Sequence, residues 1–482
     1  MMGIAKESVT LHTRRDILRL SAGLAATATA TSIPTWNVAA PGATGEIDTW
    51  VTAGQKRYRR SAPSRWQPAA RQADSETIEL NPEQRFQQIL GFGAAFTDAA
   101  CYMVHQLPES ARDALLQELF HPSEMGLNVC RTCIGASDYS TELYSFDDGE
   151  PDPELKRFSI DHDRAYLLPT LRAARKVNSN LFLFSSPWSP PGWMKANGSM
   201  LGGSMRKKYF GSYAQYFVKF LEAYAAEGVP IQAVTSQNEV DTDQDGRMPA
   251  CLWGQEYEVE FVGQHLGPAL EASGLPTKIW LLDHNYNLWG RVICSLDDPA
   301  VRKYSGAVAW HGYVGSPDMI AKVHGAHPRV AMHWTEGGPD YTSPTYTTDW
   351  TNWGQTCSDA LTNWCESVTA WNLALDETGR PNIGPFPCGG FVTINSRTRE
   401  ITRSGQYWAF AHFSRCIRRG AWRFASSSKL TDVAHVGCQN PDGGKVLVVT
   451  NLGSGRTVWL RSGGAAAEVM LEGDSVTTLV WK

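Results

Sequence analysis

The sequence predicts a (β/α)8 barrel joined to a β-sandwich, and three observations carry this prediction. Between about residues 86 and 395, eight short apolar segments alternate with stretches long enough for a helix, the rhythm of a βα barrel. The apolar residues of these segments often run continuously rather than alternating, which is typical of parallel strands buried on both faces. From residue 396 the helical stretches give way to short strands and glycine-rich turns, which predict an all-β module.

The eight barrel strands are placed by their apolar runs. The clearest helix lies between the third and fourth strands, where aromatic residues recur at helical spacing from Tyr213 to Tyr224. Ser110 to Phe120 and Asp161 to Val177 are also predicted helices. The predicted strands lie near Leu90–Phe96, Leu127–Ile134, Leu181–Ser186, Ile231–Gln237, Lys278–Leu282, Ala307–Trp310, Val330–Trp334 and Val368–Leu373.

The sandwich is predicted mainly from the C-terminal residues 396–482. Residues 41–85 are predicted to be a linker that ends in a strand near Thr77–Leu80, and this strand could pair into the sandwich. The predicted C-terminal strands are Lys445–Thr450, Thr457–Leu460, Glu468–Leu471 and Val476–Trp481.

Residues 1–40 resemble a twin-arginine export signal. The pair Arg14-Arg15 precedes a weakly apolar, alanine-rich stretch, and Val38-Ala39-Ala40 offers small residues for cleavage. We therefore expect a bacterial protein exported after folding, to the periplasm or the extracellular space. No later segment has 18 uninterrupted apolar residues, so no stable membrane anchor is expected.

Composition narrows the class of partner. The chain of 482 residues is 42% apolar and carries a net charge of −5, which gives no reason to expect nucleic acid or an anionic membrane surface. The 18 tryptophans suit a carbohydrate site, since aromatic faces stack on sugar rings, although most of them are expected to fill the core. The oligomeric state stays open.

Ten cysteines and an oxidising destination permit disulfides. Cys357 with Cys365 and Cys416 with Cys438 are plausible pairs, but the sequence leaves the connectivity open. Cys130 and Cys133 have the spacing of half a zinc site. No second half follows, so we interpret them as buried strand residues.

Polar and aromatic residues follow the predicted strands at their carboxyl ends, where barrel active sites form. Such a set could hold a polyhydroxylated ring with a carboxylate on each side of one bond, as cleavage of a glycosidic bond requires. In strand order the residues are Asp98; Arg131 with Ser137-Asp138; Trp188; Asn238-Glu239; Asp283-His284-Asn285; His311 and Tyr313; Glu336; and Trp371-Asn372.

Several longer motifs lie on or beside the predicted strands. They are Gly91-Phe-Gly-Ala-Ala-Phe-Thr-Asp98, Ser186-Pro-Trp-Ser-Pro-Pro-Gly-Trp-Met-Lys195, Tyr216–Tyr224, Asn238-Glu239, Trp371-Asn-Leu-Ala-Leu375 and the segment from Gln406 to Ser414. These motifs resemble glycoside hydrolase family 30, the glucosylceramidase-like enzymes. The resemblance extends from about Leu80 to the C-terminus and implies a retaining β-glycosidase with a barrel and a β-sandwich built from both ends of the chain.

The resemblance implies that Glu239 is the general acid/base and Glu336 the nucleophile. Retention of configuration needs the two carboxyl groups about 5–5.5 Å apart. At that distance the charge of Glu336 is expected to raise the pKa of Glu239, which would hold a proton for the leaving group.

Six further residues are expected around the sugar. An amide would bind the 2-hydroxyl, a carboxylate would bind hydroxyls at the far end of the ring, and two indoles would form walls. A histidine and a tyrosine would orient the nucleophile. The amide is that of Asn238 and the carboxylate is that of Asp98. The two indoles are those of Trp188 and Trp371, and the residues that orient the nucleophile are His311 and Tyr313.

The expected substrate is a β-glucoside, with exo cleavage favoured. A β-1,6-glucan, a β-xyloside or a β-fucoside is the alternative within the same chemistry. Phe386–Phe391 differs from the lysosomal glucosylceramidases, and this disfavours a ceramide glycoside. A non-catalytic carbohydrate-binding protein on the same scaffold is the rival from another class. A third hypothesis is that the sandwich binds a polysaccharide while the barrel cleaves a distant bond.

No cofactor and no metal ligands are predicted. The sequence offers no HExxH motif, phosphate-binding loop or dinucleotide fingerprint in a convincing context. Asp241, Asp243 and Asp245 match the start of a calcium loop, but the twelfth position is Leu252. These aspartates are expected to line the substrate entrance or to bind local backbone, and whether they bind calcium stays open.

Overall fold

Eight parallel strands close into a barrel in sequence order. In this computed structural model, which describes residues 45–69 and 75–482, all eight predicted strands are present, and the prediction of a (β/α)8 barrel is confirmed. The predicted export signal lies outside the described residues. The strands are Gly91–Phe96, Val129–Cys133, Phe182–Ser186, Ala233–Thr235, Lys278–Asn285, Ser305–His311, Ala331–Glu336 and Cys365–Asn372.

Helices surround the barrel. The aromatic face of Phe210–Ala226 is buried, as its helical spacing predicts. In the described part of the chain no helix is long and apolar enough to cross a membrane. The α-helices are Asp98–His105, Glu109–Phe120, Leu167–Val177, Phe210–Ala226, Gln255–Glu260, Gly267–Ser273, Trp289–Asp297, Pro299–Tyr304, Asp318–Ala326, Trp350–Thr362 and Gly405–Ser414, and a wide helical turn at Phe261–Leu266 continues Gln255–Glu260.

The β-sandwich contains strands from both ends of the described chain. Hydrogen bonds connect ten strands around a separate apolar core that includes Ile47, Ile78, Leu447 and Leu479. A small three-stranded sheet joins Ala374–Leu375, Val392–Ile394 and Ile401–Arg403. The ten sandwich strands are Glu46–Ala53, Lys56–Arg65, Gln67–Pro68, Thr77–Gln88, Trp422–Ser428, Val433–Gln439, Lys445–Asn451, Arg456–Ser462, Ala465–Leu471 and Ser475–Trp481.

The prediction of a linker over residues 41–75 is wrong for most of its length. Glu46–Ala53 pairs with both Lys56–Arg65 and the C-terminal strand Ser475–Trp481. Lys56–Arg65 is mostly polar because it lies at the edge of the sheet, where one side faces solvent and a proline is tolerated. Such a strand lacks the apolar alternation that identifies strands in a sequence.

A buried histidine ties the barrel's last helix to the sandwich. His412, in Gly405–Ser414, lies 2.8 Å from the hydroxyls of both Thr52 and Thr478. The Thr478 hydroxyl donates to the His412 carbonyl, so it accepts from Nδ1–H. The Thr52 hydroxyl accepts from the Tyr58 amide and keeps its proton available for Nε2. With a donor for Nε2 and an acceptor for Nδ1–H, this position suits a neutral imidazole.

We expect His412 to make stability dependent on pH. Burial, with a smaller contribution from Arg415, lowers the pKa of His412 to about 3. The unfolded chain takes up this proton near pH 6.5, so stability present above 6.5 is lost as the pH falls towards 3. Between pH 7.5 and 5.0, urea denaturation should show that the wild type loses about 2 kcal/mol more than His412→Gln. Substitution of the exposed His121 is the control, and equal losses in His412→Gln and the wild type would contradict this account.

All ten cysteines are free thiols, and neither plausible disulfide is formed. Cys416 Sγ lies instead 3.2 Å from the Tyr58 hydroxyl, while Cys438 is buried in the strand Val433–Gln439. Cys357 and Cys365 are both buried in the barrel core. Cys130 and Cys133 are buried strand residues, as interpreted from the sequence. The buried thiols act as small apolar core residues.

Candidate active site

A cavity of about 500 Å³ opens at the carboxyl ends of the barrel strands. Of the eight predicted site residues, six line it and two do not: Asp98 and His311 lie behind the cavity wall. The six are Trp188, Asn238, Glu239, Tyr313, Glu336 and Trp371. The indoles of Trp188 and Trp371 stack with ring centroids 5.0 Å apart, so together they form one aromatic wall.

Glu336 ends the seventh strand and is held from two sides. The Tyr313 hydroxyl donates to Oε1 at 3.0 Å, and the Arg131 guanidinium donates to Oε2. Gly337 follows, and a Cβ there would lie 2.3 Å from the Trp334 indole, so only glycine allows the chain this close approach. Glu336 is therefore an oriented carboxylate at the floor of the cavity.

Arg131 connects the site from beneath and is fully buried. Besides Glu336, it donates to Asn238 Oδ1 at 2.7 Å and Asp283 Oδ2 at 2.6 Å. Its guanidinium also lies 4.7 Å from the Trp188 ring centroid. A buried charge is stable only when paired and hydrogen-bonded, and here two carboxylates supply the pairing. The sequence already places Arg131 among the strand-end residues. The signal that identifies it as a candidate site residue is a lone arginine in an otherwise apolar strand.

Glu239 lies opposite, just after the fourth strand. Its backbone has φ 53°, a left-handed conformation that is uncommon outside glycine and concentrates at functional sites. Gln244 Nε2 donates to Oε2 at 2.8 Å. The Nδ1 atoms of His284 and His311 each lie 3.6 Å from Oε1.

The expectation that Glu239 has a raised pKa is wrong for the substrate-free protein. Burial raises this pKa, but the His311 contact, the charges of His284 and His311 and the Gln244 amide outweigh it and lower the pKa. The pKa of His311 is raised to about 9: burial lowers it, but Glu336, Asp283 and Glu239 overcome that effect. The pKa values of the two side chains therefore shift in opposite directions, as expected for a carboxylate and an imidazole that share one proton.

His311 and Asp283 support both carboxylates from behind the cavity wall. His311 Nε2 lies 3.0 Å from Asp283 Oδ1 and 3.8 Å from Glu336 Oε2. Asp283 also accepts hydrogen bonds from Ser186, Thr235 and Thr335 at 2.6–2.8 Å. Its pKa is held well below the usual range because, despite burial, Arg131 and His311 stabilise the charge. These contacts fix the tilt of the imidazole between the two glutamates.

The structure places Asp138, and not Asp98, at the end of the cavity. Asp98 is saturated behind the wall: Oδ2 accepts from the Thr141 amide and hydroxyl, and Oδ1 lies 3.1 Å from His162 Nε2. Asp138 lines the cavity, and its buried Oδ1 has no hydrogen-bond partner in the described residues. Burial and the charges of Glu336 and Glu239 raise its pKa. Because both aspartates follow strands, the sequence alone did not separate them.

We expect Asp138→Ala to lower kcat/KM about 5- to 100-fold, since a buried polar group left without its hydrogen-bond partner costs about 1–3 kcal/mol. Asp98→Asn is the matched control. It removes a contact that fixes the loop carrying Asp138, so we expect it to lower the melting temperature. Its loss in kcat/KM should be smaller than that of Asp138→Ala. Michaelis–Menten kinetics and thermal unfolding of both variants check this. A larger kinetic loss in Asp98→Asn would reverse the assignment.

The aspartates of the calcium-like motif do not converge on one point. Asp241 lines the cavity, as expected, and its Oδ1 lies 2.5 Å from His284 Nε2. Asp243 caps the short turn Gln244–Gly246 and accepts from the Asp245 amide. Within the described residues, the one group of three or more potential metal ligands is Glu239 with His284 and His311.

Two carboxylates across a cavity at the carboxyl end of a βα barrel, beside stacked indoles, define the class of glycoside hydrolases. The comparisons with known proteins agree. The glycosyl hydrolase family 30 TIM-barrel domain matches residues 89–417, and the family's β-sandwich domain matches residues 420–479. The chain belongs to glycoside hydrolase family 30, as its motifs indicated.

Relatives of two activities share this family. An endo-1,6-β-D-glucanase of Neurospora crassa is 33% identical over 83% of this chain and 88% of its own. Putative glucosylceramidase 4 of Caenorhabditis elegans is 32% identical over 78% of this chain and 76% of its own. Among solved structures, an endo-β1,6-glucanase has a TM-score of 0.82 and 29% sequence identity. SrfJ of Salmonella typhimurium has a TM-score of 0.87 and 26% sequence identity. Each covers 91% of this chain and 100% of the other.

Proposed function

We propose that this glycoside hydrolase cleaves β-glucosidic bonds with retention of configuration, through a covalent glycosyl-enzyme. One observation carries the proposal: a single imidazole, that of His311, lies 3.6 Å from Glu239 and 3.8 Å from Glu336. This imidazole links the two carboxylates, which supports their acting as a pair on one glycosidic bond, and a separation of about 5–5.5 Å between them would give retention.

The residues divide the reaction between two steps. Glu336 attacks the anomeric carbon while the leaving oxygen takes from Glu239 the proton that Glu239 shares with His311. Glu239 then takes a proton from water, which attacks the same carbon and releases Glu336. Arg131 and Tyr313 hold the Glu336 carboxylate in position with their hydrogen bonds. Arg131 also occupies Asn238 Oδ1, which leaves the amide N–H groups of Asn238 for the sugar 2-hydroxyl.

A β-1,6-glucan is the second substrate candidate, with endo action. The match to the Neurospora endo-1,6-β-D-glucanase supports it. So does the mouth of the cavity, where Tyr313, Val314 and Phe386 are exposed and offer an apolar surface to sugars on the leaving-group side. A chain of sugars would use this surface, while a simple glucoside would not.

Export is a separate proposal, supported by Arg14-Arg15 and the small residues that follow. The expected location is the periplasm or the extracellular space. Replacing both arginines with lysine should retain the protein in the cytoplasm, and unchanged export would contradict a twin-arginine route.

The test of the proposed function is a substrate panel on the purified protein beside Glu336→Ala. Aryl β-glucoside, β-xyloside, β-fucoside and β-galactoside are followed by NMR, which identifies the anomer released first. We expect turnover of the glucoside with β-anomer first, absent in the variant. α-Anomer first would overturn retention. If all four glycosides fail, β-1,6-glucan is the next substrate, and its cleavage would favour the endo-glucanase.

A further inference from the structure

Two buried histidines face the same oxygen of Glu239. His284 Nδ1 and His311 Nδ1 each lie 3.6 Å from Glu239 Oε1, and the three ligand atoms lie within 4.8 Å of one another. Both histidines are more than nine-tenths buried. Within the described residues neither Nδ1 has a hydrogen-bond partner. Two buried nitrogens are thus aimed at one carboxylate without being used by the protein's own hydrogen bonds.

A carboxylate backs each imidazole on its other nitrogen. His284 Nε2 lies 2.5 Å from Asp241 Oδ1, and His311 Nε2 lies 3.0 Å from Asp283 Oδ1. A carboxylate at Nε2 accepts a hydrogen bond from the proton there, so Nδ1 is the nitrogen that can bind a metal ion once any proton on it is lost. Metal-binding histidines are typically supported in this way, since the carboxylate fixes the ring and increases its basicity.

We propose that Glu239, His284 and His311 form a site for a divalent transition-metal ion of the zinc type. Ligands about 2.0–2.1 Å from a tetrahedral zinc are roughly 3.4 Å from one another, so both 3.6 Å separations are close to an edge of that tetrahedron. Two imidazoles and one carboxylate suit zinc, and calcium and magnesium prefer oxygen ligands. The fourth position faces the cavity, which leaves room for water.

Occupancy of this site blocks the hydrolase, a consequence that rests on the proposed function. The ion takes the Glu239 oxygen that would give its proton to the leaving group. Metal ligands must be deprotonated, so protons held by the three side chains pass to solvent when the ion binds. No bond of a substrate changes, and a chelator restores activity. Zinc is thus a reversible inhibitor.

The binding test uses ZnCl₂ and the full chain without a polyhistidine tag. Titration calorimetry should give one site, and Co²⁺ should give visible absorption of a four-coordinate ion. His284→Gln should weaken zinc binding about 100-fold, and Asp241→Asn about 10-fold. Asp245→Asn, a nearby exposed carboxylate outside the group, should bind like the wild type. Cys294→Ser removes the exposed thiol and should not alter the site.

Binding and inhibition are measured separately, so the two proposals can fail independently. A site that is lost in His284→Gln supports the inference even if no glycoside is hydrolysed, in which case only the proposed function fails. Hydrolysis that continues with no zinc bound at about 1 mM overturns the inference alone. Zinc binding that is unchanged in His284→Gln, or lost in Cys294→Ser, also overturns it.

Discussion

Replacing Glu336 with alanine should lower kcat on an aryl β-glucoside by about 10⁴- to 10⁶-fold, the range for loss of an enzymic nucleophile. Without this carboxylate no covalent bond to the sugar can form. Arg131 keeps its pairing with Asp283 at 2.6 Å, so the variant should fold, and circular dichroism would check this. Steady-state kinetics against the wild type measures the loss.

Azide makes the Glu336→Ala result specific. A small anion can enter the space left by the carboxylate and attack the anomeric carbon from the same face. The product should be the α-glycosyl azide, which NMR distinguishes from the β-azide, and the rate should rise with azide concentration. Residual activity that azide does not increase, or a β-azide product, would place the nucleophile elsewhere.

Replacing Glu239 with alanine should have an effect that depends on the leaving group. A poor leaving group, such as the sugar of a β-linked disaccharide, needs a proton, and its kcat/KM should fall about 10²- to 10⁴-fold. A dinitrophenyl glucoside needs none, so its first step should stay close to wild type, while the second step slows because the base is missing. A rapid burst of dinitrophenol followed by slow turnover is the expected trace.

The control for Glu239 is Asp340→Asn, another carboxylate that lines the cavity. It should lower kcat/KM for both leaving groups by the same small factor. Azide added to Glu239→Ala should give the β-glycosyl azide, because the anion attacks the glycosyl-enzyme from the side that water uses. Equal losses on disaccharide and dinitrophenyl glucoside would contradict an acid role for Glu239.

The barrel could be predicted because each strand carries its evidence locally. Gly91–Phe96 is wholly buried and has no polar side chain, and burial on both faces produces such runs, which the sequence displays. Edge strands do not produce such apolar runs. Lys56–Arg65 has one neighbour, Glu46–Ala53, and its polar side chains face solvent, so nothing in its sequence separates it from a linker.

The two glutamates could be predicted for a similar reason, since they end strands whose direction fixes the face they share. What surrounds them depends on long-range geometry. Asp98 and Asp138 each follow a strand, but Asp98 is turned towards Thr141 and His162. The charge on His311 could not be predicted either. It follows from the carboxylates of Glu336, Asp283 and Glu239, which lie at or near the ends of three other strands and overcome the effect of burial, and it reverses the expected direction of the pKa shift of Glu239.

Labelling with the 2-deoxy-2-fluoro aryl β-glycoside of the preferred sugar tests the central claim most directly. The fluorine slows both the formation and the hydrolysis of the glycosyl-enzyme, and the activated leaving group restores the rate of formation. A retaining enzyme should therefore accumulate as the covalent intermediate. Intact mass should rise by one fluoroglycosyl group, and peptide mapping should place it on Glu336. A label on another residue, or turnover through α-anomer without any label, would contradict the double displacement.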